Sequence, residues 1–158
     1  MSTYSSTFNQ FLQGQSIYLR EVRESDVNDD YYQWINDPQI NQFLETRYAA
    51  RSIADIKSFV ISKDSNQNEP LFAICCTESD KHIGNIKLGP INWLHRRADI
   101  SLLIGDKSYW GKGIATQAIQ LISQFAFQTL NLNKLMAGAY KHNIGSIKAF
   151  QRCGYKIE

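Results

Sequence analysis

One stretch of this chain constrains its fold more than any other. An apolar run at Leu102, Leu103 and Ile104 leads into a turn bearing Gly105, Gly111 and Gly113. After the turn, Ile114, Ala118, Ile119, Ile122, Phe125, Ala126 and Leu130 recur at the 3.6-residue period of an amphipathic helix. A strand therefore feeds through a glycine turn into a helix over residues 113–130. The first turn of a helix leaves its N–H groups unpaired and carries the positive end of the dipole. Glycines let an anion approach that backbone, so the pattern predicts a phosphate or diphosphate cradle, with Lys112 adding a mobile positive charge. Two nucleotide motifs are excluded. The nearest Walker-type spacing, Gly84 to Gly89, is followed by Pro90 rather than Lys. A dinucleotide fingerprint would need glycine where Thr116 stands, and a parallel unit around it. By itself the Gly-x-Gly also admits a plainer reading, a tight strand-to-helix turn with no ligand.

The remaining elements define a mixed α+β domain. Residues 1–14 are rich in Ser, Thr, Asn and Gln and read as a flexible tail; residues 15–158 read as a single domain, a usual domain length. A strand is predicted over 15–22, then a helix capped by Ser25 that carries Val27, Tyr31, Trp34 and Ile35 and stops at Asn36-Asp37-Pro38. A short segment over 39–44 follows. Ser52 and Asp55 open a further helix in the manner of a capping box. Residues 71–77, 82–88 and 97–104 read as an antiparallel meander. After the long helix come a strand over 134–140, a helix over 143–153 closed by Gly154, and the start of a strand over 155–158.

Composition narrows the function. Hydrophobic residues make up 43% and charged residues 20%, globular values, and the net charge of +2 lacks the basic excess of a general nucleic-acid binder. No apolar run reaches the length of a membrane span. The three cysteines, Cys75, Cys76 and Cys153, show no CxxC spacing and suit a reducing, cytoplasmic setting. His82, His95 and His142 show no metal-ligand spacing, and no Gly-x-Ser-x-Gly elbow occurs.

The strand order, the loop Trp110-Gly111-Lys112-Gly113-Ile114-Ala115 and the segment Asn143-x-x-Ser146 before Gly154-Tyr155 resemble the GNAT superfamily of acetyl-CoA-dependent N-acyltransferases. That family's loop reads Gln/Arg-x-x-Gly-x-Gly/Ala, and Trp110 departs at its first position. Leu19-Arg20, Asp26 and Trp34-Ile35-Asn36-Asp37-Pro38 resemble the branch of ribosomal-protein alanine and amino-sugar acetyltransferases. The resemblance implies a mostly antiparallel sheet flanked by helices, with a splayed strand pair. Relatives continue with two further strands, so the C-terminal strands look missing here: the chain is truncated, or a partner supplies the strand. A homodimer is a further expectation.

The same resemblance assigns work to residues. Leu102, Leu103 and Ile104 would pair with pantetheine; Trp110, Gly111, Lys112, Gly113, Ile114, Ala115 and Thr116 would hold the diphosphate of acetyl-CoA. Asn143 and Ser146 would meet the pantetheine arm or thioester. The implied reaction is attack of a neutral primary amine, a small molecule or a peptide N-terminus, on the thioester, with an oxyanion donor near Leu103. A Tyr used by many relatives to protonate the thiolate is Phe150 here, and a Glu used by others is Gly138. Ser146 and Asp99 remain as acid and base candidates, against the plainer readings of a capping hydroxyl and a surface carboxylate. His142 is a weaker candidate. Tyr31, Tyr32 and Trp34, with Phe43, would wall the acceptor pocket, where packing alone would also explain them. Glu45, Arg47 and Arg51 could select an acceptor by charge. The missing Tyr and Glu motivate a different class of function, a non-catalytic acyl-CoA sensor.

Overall fold

The computed structural model describes residues 10–42, 50–64, 66–138 and 143–158. Its strands are β1 (Leu12–Gln13), β2 (Ile17–Glu21), β3 (Leu71–Cys76), β4 (His82–Leu88), β5 (Arg97–Ile104) and β6 (Lys134–Met136). They form one sheet in chain order, antiparallel throughout except for the parallel pair β5–β6. The helices are α1 (Asp29–Asn36), the single turn α2 (Pro38–Asn41), α3 (Ile53–Lys63), α4 (Ile114–Gln124) and α5 (Ile144–Arg152).

Alternation along the strands splits the core in two. Ile17, Leu19, Ile74, Ile83, Ile86 and Ile100 pack on one face against Ile114, Ala118, Ile119 and Ile122 of α4 and Phe150 of α5. Tyr18, Ala73 and Cys75 pack on the other against Tyr31, Trp34 and Ile35 of α1 and Ile56 and Val60 of α3. Each buried aliphatic side chain contributes roughly 1.5–3 kcal/mol, so the stripe of α4 anchors that helix and aims its N-terminus.

Several local expectations need correction. Residues 12–13 of the predicted tail pair with β2, and Phe11 stacks on Phe72 with ring centroids 5.8 Å apart. Ser25 does not cap α1. It lies in a 3₁₀ turn, Glu24–Asp26, because the Asp26 carboxylate accepts from both the Arg20 guanidinium and the Arg23 N–H. Asn28 caps the helix instead, its side chain accepting from Tyr31 N–H at 3.1 Å. By contrast, Ser52 and Asp55 do form a capping box. The long helix turns π-helical over Phe125–Thr129. No strand forms over 155–158: Tyr155 turns inward to Ser123, 2.7 Å between hydroxyls, and Glu158 reaches Lys134 at 3.3 Å. Of the strand expected over 134–140, β6 covers 134–136; Tyr140 and His142, like Phe43, Glu45 and Arg47, lie outside the described residues.

Candidate active site

The site begins where β5 and β6 part. Their register runs Arg97 to Lys134, Ala98 to Leu135 and Asp99 to Met136, and stops, while β5 continues to Ile104. Which backbone groups face the gap follows from parity. Gly89 N–H donates to the Asp99 carbonyl at 2.7 Å and Gly105 N–H to the Ile83 carbonyl at 2.8 Å. Residues 99, 101, 103 and 105 therefore aim their backbone at β4, and residues 100, 102 and 104 aim theirs at the gap. The N–H and C=O of Leu102 and the N–H of Ile104 have no partner among the described residues. Leu103, expected near an oxyanion donor, commits its amide to β4; the exposed amides are those of its neighbours.

Beyond β5 the chain is tied down before it reaches α4. Gly105 lies under the Trp34 ring so closely that a Cβ there would stand 2.0 Å from it. Asp106 pairs with Lys81 at 2.6 Å, and Lys107 with Asp37 at 2.7 Å. Burial alone would raise the Asp106 carboxyl, but Lys81 and Ser108 hold it below the usual carboxylate range, so its charge is matched locally. The Trp110 indole N–H donates to the Ile104 carbonyl at 2.8 Å, closing the last outward acceptor of β5.

The loop then opens. Gly111 and Gly113 take φ of +74° and +77°, left-handed values that glycine reaches without strain, and a Cβ at either would meet nothing within 4 Å. The N–H groups of residues 111–116 have no hydrogen-bond partner among the described residues, and no side chain caps α4. Lys112 contributes an ammonium whose recorded contact is the Tyr109 ring, 5.6 Å to its centroid. A row of open amides at a helix N-terminus, with a lysine above it, suits a diphosphate. The unpaired edge of Leu102 suits an extended amide chain. Together they fit acetyl-CoA, whose diphosphate would lie on residues 111–116 and whose pantetheine would continue the sheet.

The other predicted residues occupy varied positions. Asn143 caps α5, its side-chain carbonyl accepting from Ser146 N–H at 3.3 Å. The Ser146 hydroxyl is half-buried and has no partner among the described residues. Asp99 sits at the last β5–β6 pair, exposed, on the face opposite Ala98 and Ile100; its carboxylate has no ion-pair partner among the described residues. Tyr32 is 37% exposed, whereas Trp34, at 6%, is a packing residue under the loop rather than an open pocket wall. Phe150 is buried edge-on against Tyr155, whose hydroxyl is engaged with Ser123.

Sequence reasoning missed the polar cluster beneath this site. His82 Nε2 and Asn85 Oδ1 lie 2.7 Å apart, and His82 meets the rings of Trp34 and Tyr31 edge-on at 5.0 and 5.9 Å. Burial depresses the imidazole pKa and pushes the Tyr31 phenol up to about 12. Asn85 is the register partner of Leu103, so the cluster stiffens β4 behind the gap. An Asn three residues after a His is a faint signal, and only the fold gives it meaning. Among the described residues, no group of His, Cys, Asp and Glu could hold a metal, and no helix is long and apolar enough to cross a membrane.

A mostly antiparallel sheet that parts at a parallel pair, with an open-amide loop beside the gap, defines an acyl-CoA-dependent transferase of the GNAT type. The acetyltransferase (GNAT) domain profile matches residues 16–156, and the chain belongs to that family. Spermidine N(1)-acetyltransferase of Escherichia coli K12 is 28% identical over 143 residues, covering 90% of this chain and 74% of that protein. An uncharacterized N-acetyltransferase, p20, of Bacillus licheniformis is 27% identical over 144 residues, covering 87% and 76%. Among solved structures, spermidine N-acetyltransferase from Vibrio cholerae with CoA and spermine superposes with a TM-score of 0.80 at 22% identity, covering 92% of this chain and 83% of that one. The protein is an N-acetyltransferase that uses acetyl-CoA.

Proposed function

We propose that the chain acetylates a primary amine of a small polyamine-like acceptor. The observation that carries the placement of the reaction is the gap beside β5, with its outward Leu102 and Ile104 backbone groups and the open amides of residues 111–116. The acceptor class is supported by the spermidine acetyltransferase of E. coli, similar over nine-tenths of this chain.

Acetyl-CoA supplies an activated acyl carbon. The open amides of residues 111–116 fix its diphosphate end, and the Leu102 edge aligns the thioester arm. An amine of pKa near 10 must lose a proton before it attacks, and Asp99, at the mouth of the gap, takes it directly or through water. An outward N–H of Leu102 or Ile104 stabilises the oxyanion as the nitrogen–carbon bond forms. When the carbon–sulfur bond breaks, the Ser146 hydroxyl donates a proton to the thiolate and recovers one, directly or through water, from the nitrogen, which sheds its second proton as the amide forms. Ser146→Ala and Asp99→Asn should each lower kcat by about tenfold or more while leaving KM for acetyl-CoA within about twofold. The three unbridged cysteines support a reducing, cytoplasmic setting.

The test is thiol release from acetyl-CoA with spermidine, glucosamine and an alanine-terminated peptide. Spermidine should give a kcat/KM at least about tenfold above the others. A preference for the peptide or the amino sugar would replace the acceptor assignment. Tight acetyl-CoA binding without turnover on any amine would favour the sensor reading, for which the absence of a phenol at Phe150 speaks.

A further inference from the structure

The far end of the molecule carries a cavity that the acetyl-transfer site does not use. It measures about 440 Å³ and lies between the start of β3, the end of α3 and the π-helical turn after α4. The eleven residues of α4 separate that turn from the open-amide loop, a run of about 16 Å at 1.5 Å per residue. The wall is aromatic. Phe11, Phe72 and Phe125 form a mutual cluster, with Phe11 stacked on Phe72 at 5.8 Å and edge-on to Phe125 at 5.4 Å. Phe11 is nonetheless 57% exposed, and Trp93, at the rim, 47%.

Packed interiors leave few voids larger than a water, which occupies about 30 Å³ of liquid. An apolar hollow of this size falls in the range of small-molecule sites, roughly 300–1,000 Å³. The π-helical turn that sets Phe125 and Leu130 into its wall is a form concentrated at functional positions. Charge at the rim narrows the ligand. Lys63 pairs with Glu69 at 2.7 Å, a carboxylate that also meets Lys87 at 3.6 Å away from the lining, and Glu21 pairs with Arg23 at 2.6 Å. Asp64 also lines the rim, and its carboxylate has no ion-pair partner among the described residues. Among the lining residues the charge left without an ion-pair partner is negative, and aromatic faces attract cations.

We propose that this cavity is a second binding site, separate from acetyl transfer, for a compact organic cation with an aromatic or aliphatic body. The ligand's apolar part lies against Phe72, Phe125 and Leu130, and its positive head remains at the rim beside Asp64.

The test uses the full chain and two probes of equal size, (1-naphthylmethyl)trimethylammonium and 1-naphthylacetate, followed by backbone amide chemical-shift mapping. The cation should shift residues 71, 72, 125 and 130, with an affinity at least about fivefold above that of the anion. Leu130→Trp, which fills the hollow, should abolish these shifts and leave KM for acetyl-CoA unchanged. Asp64→Asn, at an exposed position with no packing to lose, should erase most of the preference for the cation. Absence of shifts at residues 71, 72 and 125, shifts confined to residues 111–116, or equal binding of cation and anion to the native chain would each overturn the proposal.

Discussion

Gly113→Val tests the proposed diphosphate contact separately from the rest of the reaction. Gly113 holds φ of +77° immediately before α4, and a side chain there would meet nothing within 4 Å. The substitution therefore pushes no core residue; its cost is confined to the backbone. A left-handed residue with a Cβ costs about 1–2 kcal/mol, with β-branched valine at the upper end. In the free protein the exposed loop escapes that strain by relaxing to a negative φ, which turns the amides of residues 111–114 away from their common focus. Binding must restore them, so up to the whole strain appears as lost affinity, about 5–30-fold. The assay compares acetyl-CoA with S-acetyl-N-acetylcysteamine, a thioester lacking the diphosphate. KM for acetyl-CoA should rise by that factor, kcat/KM for the short thioester should stay level, and the thermal midpoint should barely move. A matching loss on both thioesters, or none on either, would refute the assignment of residues 111–116 to the diphosphate.

Three other perturbations probe separate parts of the structure. Trp110→Phe keeps the ring but removes the N–H that reaches the Ile104 carbonyl; calorimetric affinity for CoA should fall about 2–10-fold, and an unchanged value would mean the tie does not hold the loop. Arg20→Ala strands Asp26 beside β2, where the pair is only 10% and 11% exposed, and should cost about 3–5 kcal/mol in urea unfolding; a loss below about 1 kcal/mol would show the pair to be dispensable. His82 tests the pH response. Burial disfavours the charged imidazole, so below the ordinary value of 6.5 the unfolded chain binds more protons than the folded one. The stability His82 contributes is full above that value and is lost as pH falls toward the folded pKa. Urea midpoints between about pH 8 and about pH 5 should decline with acid in the native chain and flatten in His82→Gln; parallel slopes would contradict this account.

How much of this was readable before the fold depended on the range of each interaction. Ser52 and Asp55 satisfy each other's amides within one turn, so their box was visible as a pattern. The stripe of Ile114, Ala118, Ile119 and Ile122 was visible for the same reason, its period being set by the helix. The N-cap of α1 was not, because Arg20, on a different element, recruits Asp26 and bends the chain past Ser25. Trp34 shows the same limit. Its spacing admitted a pocket wall beside the plainer reading of core packing, and its close approach to Gly105 at 6% exposure shows it buried. The Phe125 turn, the Asn85 cluster and the aromatic hollow all arise from contacts between distant elements, for which periodicity carries no signal.

The site itself illustrates how a strand acquires two functions by parity. Up to Asp99, β5 spends both sets of backbone groups on its neighbours, β4 and β6. Past Ile100 only the odd-numbered residues remain paired, and the even-numbered ones, Leu102 and Ile104, face the gap. A one-residue slip of β5 against β4 would turn Leu103 outward in place of Leu102 and move Asp99 to the α4 face. The register is therefore as much a part of the candidate site as any side chain. It is defended on both sides: by Ala98 and Ile100 in one core, and by the Asn85–His82 contact beneath the other. Trp110 completes the arrangement. Where the family's loop carries Gln or Arg, this chain places an indole that caps the one outward carbonyl at the end of β5, so the open edge terminates where the open amides begin.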